Sequence, residues 1–537
     1  MSTPAQLPAD FPASIAVESR TVENWARMIE LTDAAVAIPD SEEQALEIVR
    51  WAARSGWRVR PIGAFHGWAP LLAESTDRIV LVDQTGLTGL VDFTDDPVPS
   101  ATFRCGTTLA QATRELEAVD NHGAAEAPGW TFPDFPGIPD VTIGGALAIG
   151  AHGAGVRTRA DQPDLFGTMS NLVLGFRAIV SIDGDYVIRD FRRDDPQAAA
   201  MLVHLGSAFL LRATLRVVPN CFLGRRVEYP DWEGLFAAPT DPPGEGSLQA
   251  RVERQGRVQQ LWFPFTKTPV VQSFSEEGYV DHDRVTEPLE VRLSPDIPAA
   301  FTSVFTSTLS HLPWLTPLVE RAVLAEMRHL SPPDAEWHGT AGNMLLYVQH
   351  DTLRVISLAY AALVRADEVQ QAVHDVAHEF DRLLHEYAKA GKDPINSCLE
   401  LRVTDVDTTQ DLGVAGAVPA LLSPVRPLPG SQAERAIWFD LVTTPKMPGS
   451  VDFYREFEAW LWQRFAEPGS LRAEWSKAWA FGPEGAWSDE QTLDRILRSY
   501  DPDGTLDTAR KAREQWRAFD ASGVYGSQLI DRLFGGD

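Results

Sequence analysis

The chain has 537 residues, of which 44% are hydrophobic and 23% charged, and its formal net charge at pH 7 is −28. This length predicts two or three domains with an ample core. The negative charge argues against nucleic acid or an anionic membrane surface as the main partner. The three cysteines, Cys105, Cys221 and Cys398, have no metal-ligand spacing and cannot form a disulfide framework, so we predict no metal site.

The N-terminal stretch shows neither the basic region nor the apolar region of a secretory leader. No apolar run reaches the roughly 20 residues that a membrane helix needs. We therefore expect a cytoplasmic protein without stable membrane insertion, or a secreted one if a leader precedes this sequence. The sequence predicts no particular oligomeric state.

The first 82 residues predict a helix, a strand, a glycine-containing loop and a second strand. A capping box at residues 41–44 precedes a helix that Gly56 ends. In the loop, residues 60–71, Gly63 and Gly67 flank His66, so the backbone can turn tightly and bring its N–H groups close to a bound group. Taken alone, a histidine between two glycines is more often a plain turn residue.

A second α+β unit follows, with a strand at 101–105 and a helix at 109–119, and it leads into a glycine-rich stretch at 139–155. The five glycines of this stretch would weaken a helix or strand by up to ~1 kcal/mol each. Such a cost suggests that something large lies against the backbone; the alternative is a tightly packed buried hairpin. The stretch is not a Rossmann fingerprint, because no clean strand precedes it and no acidic residue follows at the usual interval.

The rest of the chain predicts more sheet and then more helix. Strands at 171–180 and 186–191 flank a hairpin turn at 183–185, and a long apolar strand ends near residue 217. A Pro- and Gly-rich passage at 230–246 marks the entry into a second α+β domain. That domain has predicted strands at 259–265, 343–350, 397–405 and 436–444 and predicted helices at 316–327 and 366–390. Helices dominate from residue 451 onward.

Two of these strands carry charged residues in an apolar setting. Glu400 and Arg402 share one face with Cys398, because side chains alternate along a strand. Asp440 lies on the face of Trp438, and a carboxylate in so apolar a strand is costly without a partner or a task. The pattern leaves open whether these faces line a cavity or are simply exposed. No nucleophile elbow, zinc-protease motif or P-loop is present.

Several motifs follow one another between residues 60 and 483: Phe-His-Gly-Trp-Ala-Pro, Gly-Gly-Ala-Leu-Ala-Ile-Gly-Ala-His-Gly, Met-Ser-Asn-Leu-Val, Trp-Phe-Pro-Phe-Thr, Glu-Leu-Arg-Val-Thr and Glu-Trp-Ser-Lys-x-Trp-Ala-Phe-Gly-Pro. By these motifs the chain resembles the PCMH-type FAD-linked oxidases of the vanillyl-alcohol-oxidase superfamily, and it is most similar to the class II bacterial cholesterol oxidases. The resemblance implies an α+β fold with a two-part FAD-binding domain at 1–225. It also implies a substrate-binding cap domain with an antiparallel sheet at 226–455, and a C-terminal helical segment at 456–537 that returns to the FAD domain.

The same resemblance implies FAD as the cofactor, joined by a single covalent bond to His66. Relatives with a second, cysteinyl bond carry a cysteine just before the Gly-Gly pair, where this chain has none. The other residues implied in FAD binding are Pro61, Ile62, Gly63, Ala64, Phe65, Gly67, Trp68, Gly137, Ile143, Gly144, Gly145, Ala148, Gly150, His152 and Gly153.

The resemblance also implies catalytic roles. Glu400 and Arg402 match a Glu-x-Arg pair that the family places beside the flavin; the arginine would favour a developing alkoxide or a negative charge on the reduced flavin. The glutamate would take the hydroxyl proton, hold the arginine, or help to move a double-bond proton. Asp440 falls roughly where relatives have an amide, which is a departure from the pattern. Lys477 matches a lysine near the flavin, and the alternative is a surface lysine that covers a tryptophan.

These residues imply an oxidase that takes hydride from a secondary alcohol, with a sterol-like 3β-hydroxyl favoured, and passes electrons to O2 to give a ketone and H2O2. The expected partners are thus a small apolar alcohol and O2. One alternative is an oxidase or dehydrogenase of another alcohol, a sugar lactone or a natural-product intermediate. Another is a flavin-free binding protein on the same scaffold.

Overall fold

The structure is a computed structural model that describes residues 7–73, 78–277, 312–333, 335–348 and 354–535. Its strands, in chain order, are β1 (Ala16–Glu23), β2 (Glu30–Ile38), β3 (Arg58–Ile62), β4 (Ile79–Asp83), β5 (Leu90–Thr94), β6 (Ser100–Arg104), β7 (Trp130–Thr131), β8 (Val173–Ile182), β9 (Asp185–Arg192), β10 (Phe209–Arg216), β11 (Val218–Pro219), β12 (Phe222–Glu228), β13 (Arg257–Trp262), β14 (Val270–Glu277), β15 (Glu336–Thr340), β16 (Ile356–Val364), β17 (Leu399–Asp405), β18 (Arg435–Thr443) and β19 (Leu471–Ala473).

The α-helices of the described residues are α1 (Glu42–Ser55), α2 (Leu109–Glu117), α3 (Ile143–Ile149), α4 (Trp232–Leu235), α5 (Leu248–Gln255), α6 (Thr316–Leu330), α7 (Ala341–Leu345), α8 (Val369–Lys389), α9 (Ser450–Arg464), α10 (Glu490–Ser499), α11 (Thr508–Phe519) and α12 (Gln528–Phe534). The mixture of helix and sheet confirms the predicted α+β class.

The first unit is a four-stranded sheet in the order β1-β2-β4-β3, with β2 and β3 parallel to β4. Helix α1 begins at the predicted cap, where the Ser41 hydroxyl accepts a hydrogen bond from the Gln44 amide, and it ends at Gly56 with a left-handed φ of 67°. Its apolar stripe packs between this sheet and the next one, in a core that includes Val80 and Leu211. The helix places the loop that follows β3 at the junction of the two sheets.

The second unit is a five-stranded antiparallel sheet in the order β5-β6-β10-β8-β9. The predicted hairpin between β8 and β9 is confirmed, and Asp183 and Gly184 take positive φ values of 51° and 87° in its turn. The glycine-rich stretch is a short helix rather than a hairpin. Helix α3 is capped by the Thr142 hydroxyl and ends at Gly150, whose φ is 65°.

The third sheet has eight antiparallel strands in the order β15-β12-β14-β13-β17-β18-β16-β19, which confirms the predicted antiparallel sheet. The predicted strand at 343–350 is wrong: residues 341–345 form α7, and residues 349 and 350 lie outside the described residues. Short apolar runs do not distinguish a strand from a buried helix. Strand β16, which lies next to the edge strand β19 and is buried along its whole length, carries no alternation and was not predicted.

The two faces of the central strand β17 have different environments. Leu399, Leu401 and Val403 are buried in the same core as the apolar stripe of α8, which lies on that face of the sheet as its amphipathic pattern indicates. The alternate residues of β17 therefore point to the other face, toward the first two units. The sequence pattern alone thus fixes which face of this strand carries Glu400 and Arg402.

The C-terminal segment returns to the first two sheets. The Val59 amide donates to the Val524 carbonyl (2.9 Å), the Trp516 indole donates to the Ala200 carbonyl (2.9 Å), and the Tyr525 hydroxyl donates to the Ile179 carbonyl (3.0 Å). The domain boundaries at 225 and 455 stay predictions. None of the helices in the described ranges is both long and apolar enough to span a bilayer.

Candidate active site

A cavity of about 240 Å³ opens where the loop after β3, helix α3 and the segment after β19 meet. The predicted residues that line it are Pro61, Ile62, Gly63, Ala64, Phe65, His66, Gly67, Trp68, Gly145, Ala148, Gly150, His152, Arg402 and Lys477. Segments more than 300 residues apart in sequence thus bring their predicted residues to one cavity.

The loop that carries His66 is fixed on two sides. The Asn24 side-chain amide donates to the Gly67 carbonyl (2.9 Å), and the Trp68 amide donates to the Ser476 carbonyl (2.7 Å). The His66 ring nitrogen Nε2 lies 2.7 Å from an Asp140 carboxylate oxygen. A histidine held in this way differs from a plain turn residue, because Asp140 contacts its ring and two other parts of the chain fix the loop that carries it.

At several of these positions only glycine fits, because other groups of the protein, rather than a ligand, occupy the space that a side chain would need. A Cβ on Gly63 would overlap the Thr142 hydroxyl that caps α3, and a Cβ on Gly144 would lie 3.0 Å from the Cys105 Cβ. A Cβ on Gly153 would overlap the Asp134 carboxylate. Other groups do lie close to the glycine backbone, as predicted from the glycine content. Many of these groups belong to the chain itself rather than to a ligand.

Four of the residues predicted to bind the cofactor do not line this cavity. Gly137 and Gly153 line a smaller, neighbouring pocket of about 30 Å³ on the other side of His152 and Arg402. Ile143 is fully buried in the core, and Gly144 packs on Cys105. The structure therefore places Ile143 and Gly144 behind the cavity wall, where they support helix α3.

The charged residues lie in two adjacent rows across the eight-stranded sheet. Glu400 on β17 is directly opposite Asp440 on β18, and Arg402 is directly opposite Trp438. All four side chains share the face that was predicted to carry them. Arg402 reaches the cavity, whereas Asp440 has no exposed surface and lies behind it. The open alternative of a solvent-exposed face is therefore wrong for this pair of strands.

Asp440 joins the two cations of the site. Its carboxylate accepts hydrogen bonds from Arg402 Nη2 (2.5 Å), Lys477 Nζ (2.8 Å) and the Ser357 hydroxyl (3.0 Å). Glu400 lies 3.1 Å from Arg402 Nε. Lys477 Nζ also lies 4.4 Å from the ring centre of Trp68, so the amine is held between a carboxylate and an aromatic face.

Burial and ion pairing compete in this cluster. Burial alone raises the pKa of Asp440, but Lys477 and Arg402 outweigh it and hold that pKa well below its ordinary value. Burial lowers the pKa of Lys477, yet the carboxylates of Asp440 and Glu474 raise it above its usual range. Arg402 and Lys477 therefore stay charged at the cavity wall. Asp440 is a poor base because both of its oxygens are already engaged by donors.

The neutral ring of His152 forms one flat side of the cavity. Its ring stacks on Trp438 with centroids 3.5 Å apart and planes 6° from parallel, and its Nδ1 lies 2.8 Å from the Gly153 carbonyl. Burial and the nearby Arg402 lower the pKa of His152. Its Nε2 and the Glu474 Oε2, 3.8 Å apart, are buried without a hydrogen-bond partner among the described residues.

Several residues of this site were not predicted from the sequence, and four of them lie around the charged cluster. Glu474 and Ser476 line the cavity, and both lie within the Glu-Trp-Ser-Lys motif from which only Lys477 was selected. Gln259 donates to Glu400 Oε1 (2.6 Å), and the Tyr347 hydroxyl donates to the Gln259 oxygen (2.7 Å). No sequence signal marks Gln259 and Tyr347, because their place depends on strand pairing and on a segment that was assigned the wrong structure.

Comparison with known proteins agrees with this architecture. A family model for an FAD-binding domain matches residues 34–187, and a model for the substrate-binding domain of cholesterol oxidase matches residues 226–535. A solvent-stable cholesterol oxidase is 28% identical with a TM-score of 0.91, over 98% of this chain and 100% of that one. Cholesterol oxidase from B. sterolicum is 26% identical with a TM-score of 0.91, over 99% and 100% of the two chains.

Curated relatives match over a shorter range. L-gulono-1,4-lactone dehydrogenase from Mycobacterium tuberculosis is 28% identical over 207 residues, which are 38% of this chain and 42% of that protein. The chain thus covers about two fifths of the length of the first such relatives. The fold and the comparisons together define an FAD-dependent oxidoreductase of the vanillyl-alcohol-oxidase type, as predicted. More narrowly, the chain belongs to the cholesterol oxidase family, whose substrate-binding model covers more than half of it.

The cavity fits the FAD that this family implies. Its walls combine apolar and glycine surface with a histidine, and two partly buried cations, Arg402 and Lys477, present hydrogen-bond donors on one side. The unpartnered Nε2 of His152 and Oε2 of Glu474 are further polar atoms at the wall that a bound polar group would satisfy. Residues 60–69 and 142–150 would hold the cofactor, and the sheet face with Arg402 would meet the substrate.

Proposed function

We propose that the protein is an FAD-dependent oxidase that converts an apolar secondary alcohol and O2 into a ketone and H2O2. The favoured substrate carries a sterol-like 3β-hydroxyl. One observation carries the proposal: two partly buried cations, Arg402 and Lys477, share one fully buried carboxylate and border the cavity that His66 lines. The cholesterol oxidases that resemble the chain over nearly its whole length support the choice of substrate class.

His66 is the proposed attachment point, through a single bond to the flavin 8α-methyl carbon. Asp140 contacts the ring nitrogen Nε2, and a carboxylate on one nitrogen raises the nucleophilicity of an imidazole. Trp25 lies beside the ring, with centroids 5.9 Å apart and planes 25° from parallel, and limits its rotation. No cysteine lines the cavity, which agrees with one covalent bond rather than two.

Bound FAD supplies the hydride acceptor and the route of two electrons to O2. The chain would supply charge and orientation. Arg402 and Lys477 donate hydrogen bonds and stabilise negative charge that develops on the alcohol oxygen or on the reduced cofactor. Glu400 would take the hydroxyl proton, because donors engage both oxygens of Asp440 and hold its pKa low, which makes Asp440 a poor base. Asp440 would then act as a positioning residue for the two cations.

The apolar part of a sterol-like substrate would lie next to a buried apolar cluster on the same sheet face. Glu400 is directly opposite Leu261 on β13, and an apolar cluster spreads from there toward helix α6. Its buried members are Val227, Leu261, Phe263, Val270, Leu324, Cys398 and Val442. A substrate with a polar end and an apolar body would place its hydroxyl at Arg402 and its body over this cluster.

The covalent bond is tested by precipitating the purified protein in acid. We expect the yellow colour to stay in the pellet, and a white pellet would refute the covalent link. In His66→Ala, the flavin should dissociate on precipitation and turnover should fall. A flavin that remains bonded in that variant would place the attachment elsewhere.

The substrate class is tested by following peroxide release in air with cholesterol, an alditol and a sugar lactone. We expect peroxide with cholesterol. Turnover with only the alditol or the lactone would favour the alternative of another alcohol or lactone oxidase. Turnover that requires a dye acceptor would instead indicate a dehydrogenase. A colourless protein that turns over none of these compounds with either acceptor would favour the flavin-free binding protein.

A further inference from the structure

Arg472 is a fully buried cation that lies on the active face of the sheet but outside the cavity. It is directly opposite Ala361 on β16, which is opposite Trp438, so it continues the row that begins with Arg402. Its relative exposure is 0%, and its three guanidinium nitrogens are all buried without a hydrogen-bond partner in the described ranges of the chain. Five N–H donors are therefore unsatisfied at one place in the core.

Two other fully buried arginines of this fold, Arg193 and Arg60, have hydrogen-bond acceptors around their guanidinium groups. Arg193 donates to the carbonyls of Val418, Ser170, Asn171 and Val173 at 2.7–3.2 Å. Arg60 donates to the carbonyls of Gly206, Tyr525 and Leu71. In both cases backbone oxygens surround the guanidinium. Arg472 has no such set of carbonyl acceptors among the described residues. Its N–H donors therefore need an acceptor from outside the described chain.

The surroundings of Arg472 are positive and aromatic. Its guanidinium carbon lies 4.5 Å from the ring centre of Tyr500, whose hydroxyl is also buried without a hydrogen-bond partner. A second cation, Arg426, lies close enough to lower the pKa of Arg472, which burial and this repulsion bring to about 10. The Nε of Arg426 is unpartnered too.

Carboxylates do not compensate these charges. None lies within ion-pair distance of Arg472 among the described residues, and none contributes to its pKa shift. Asp501, the acid that acts on Arg426, already accepts hydrogen bonds from the Leu506 and Asp507 amides. An uncompensated buried charge costs several kcal/mol in proteins. A counter-ion removes this cost, whereas water satisfies the donors but not the charge.

We propose that Arg472, with Arg426 and the Tyr500 hydroxyl, binds one small monovalent inorganic anion of the halide class. A spherical anion accepts several N–H and O–H donors at once, as this set requires. A small ion is favoured because the chain packs closely here: a Cβ on Gly469 would already lie 3.2 Å from Arg472 Nη2. The bound anion would join β19 to the loop that carries Arg426 and to the end of α10 at Tyr500. This site is separate from the FAD cavity and does not depend on the proposed substrate.

The direct test is a crystal structure of the full-length holoenzyme grown in sodium bromide, with data collected at the bromine absorption edge. We expect an anomalous peak within about 3.5 Å of the Arg472 guanidinium nitrogens, a usual donor-to-acceptor range. A water molecule there, or a carboxylate side chain paired with Arg472, would overturn the proposal.

The solution test is thermal unfolding of the holoenzyme at constant ionic strength while chloride replaces gluconate. An anion that binds only the folded state should raise the Tm of this chain by about 1 °C for each tenfold increase in chloride above Kd. Arg472→Met should abolish the dependence. Arg495, an exposed arginine that lies 5.4 Å over Trp462, provides the matched control, and Arg495→Met should keep it. A Tm of the unaltered protein that does not respond to chloride would refute the site.

Discussion

Asp440 shows how a residue without exposed surface controls the groups that reach a cavity. Its two oxygens hold Arg402 and Lys477 in place, and its negative charge offsets part of the cost of burying them. The family resemblance implies an amide roughly at this position, and that departure stays a prediction. The negative charge of Asp440 strengthens the hold on Lys477, because the pKa of Lys477 is raised by the two carboxylates around it, Asp440 and Glu474.

We expect Asp440→Asn to lower turnover at neutral pH by about tenfold, since a hydrogen bond to a charged group contributes about 1.5–3 kcal/mol. The same change should give the pH profile a new alkaline limb. Without the Asp440 charge, the pKa of Lys477 falls, and the cation is lost as the pH rises through the lowered value. The profile of kcat/KM against pH measures both effects.

Ser357→Ala is the control for that experiment, because it removes a neutral donor from the same carboxylate without changing its charge. It should lower turnover by less than about threefold. An Asp440→Asn profile that matches the unaltered enzyme would show that Lys477 does not depend on this carboxylate.

At the scale of elements, helix α3 is a short helix with two glycines in its first turn, held by its cap and by close packing. The segment that follows it packs around the buried Asp134, which accepts a hydrogen bond from the Gly155 amide (3.0 Å). Gly153 faces the same carboxylate so closely that no side chain fits. The structure thus shows which neighbouring group excludes a side chain at each glycine. The sequence indicated only that some group must lie close to the backbone here.

Gly153→Ala should therefore destabilise the protein by about 1–3 kcal/mol, the usual cost of overpacking a core. Thermal unfolding of the two holoproteins measures the difference. Gly234→Ala is the matched control, because no atom lies within 4 Å of its added Cβ and its φ is not left-handed. Equal Tm values for Gly153→Ala and the unaltered protein would show that the segment moves aside at little cost.

Elements differ in how far the sequence could predict them. Strand β17 was predictable with its two faces, because strict alternation separates Glu400 and Arg402 from the leucines that pack on α8. Helix α1 was predictable from its cap and its terminal glycine. Strand β16 is apolar on both faces and gives no period to detect. Gln259 joins the site only through pairing between strands far apart in sequence, which no local pattern records.

At the scale of the whole molecule, Asp134 lies where the first two units meet the eight-stranded sheet. Arg257 of β13 donates to the Pro133 carbonyl (2.8 Å) and lies 3.8 Å from the Asp134 carboxylate. Across the same junction, the Arg157 amide donates to Asp405 (2.8 Å). Burial raises the pKa of Asp134 to about 6, although Arg257 and two backbone amides partly oppose the shift. The junction therefore contains a carboxyl group that gains a proton in mildly acidic solution.

The sign of the resulting pH dependence follows from this shift. The folded-state pKa of Asp134, about 6, lies above the ordinary value of 3.8, so the folded protein holds this proton more tightly than the unfolded chain does. The contribution of Asp134 to stability is complete below about pH 4 and is lost as the pH rises through about 6. Asp134→Asn cannot titrate. The stability of the unaltered protein relative to this variant should thus fall by about 3 kcal/mol between pH 4 and pH 7.

Thermal unfolding of both proteins across this pH range measures that difference, because the other titrating groups are common to the two and cancel. Asp161→Asn, at an exposed position, controls for the removal of one carboxylate from the chain. If the difference between the unaltered protein and Asp134→Asn stays constant or rises with pH, Asp134 is already ionised at pH 4 in the folded state. In that case Arg257 holds the carboxylate as a buried ion pair, and the junction between the units does not respond to mild acid.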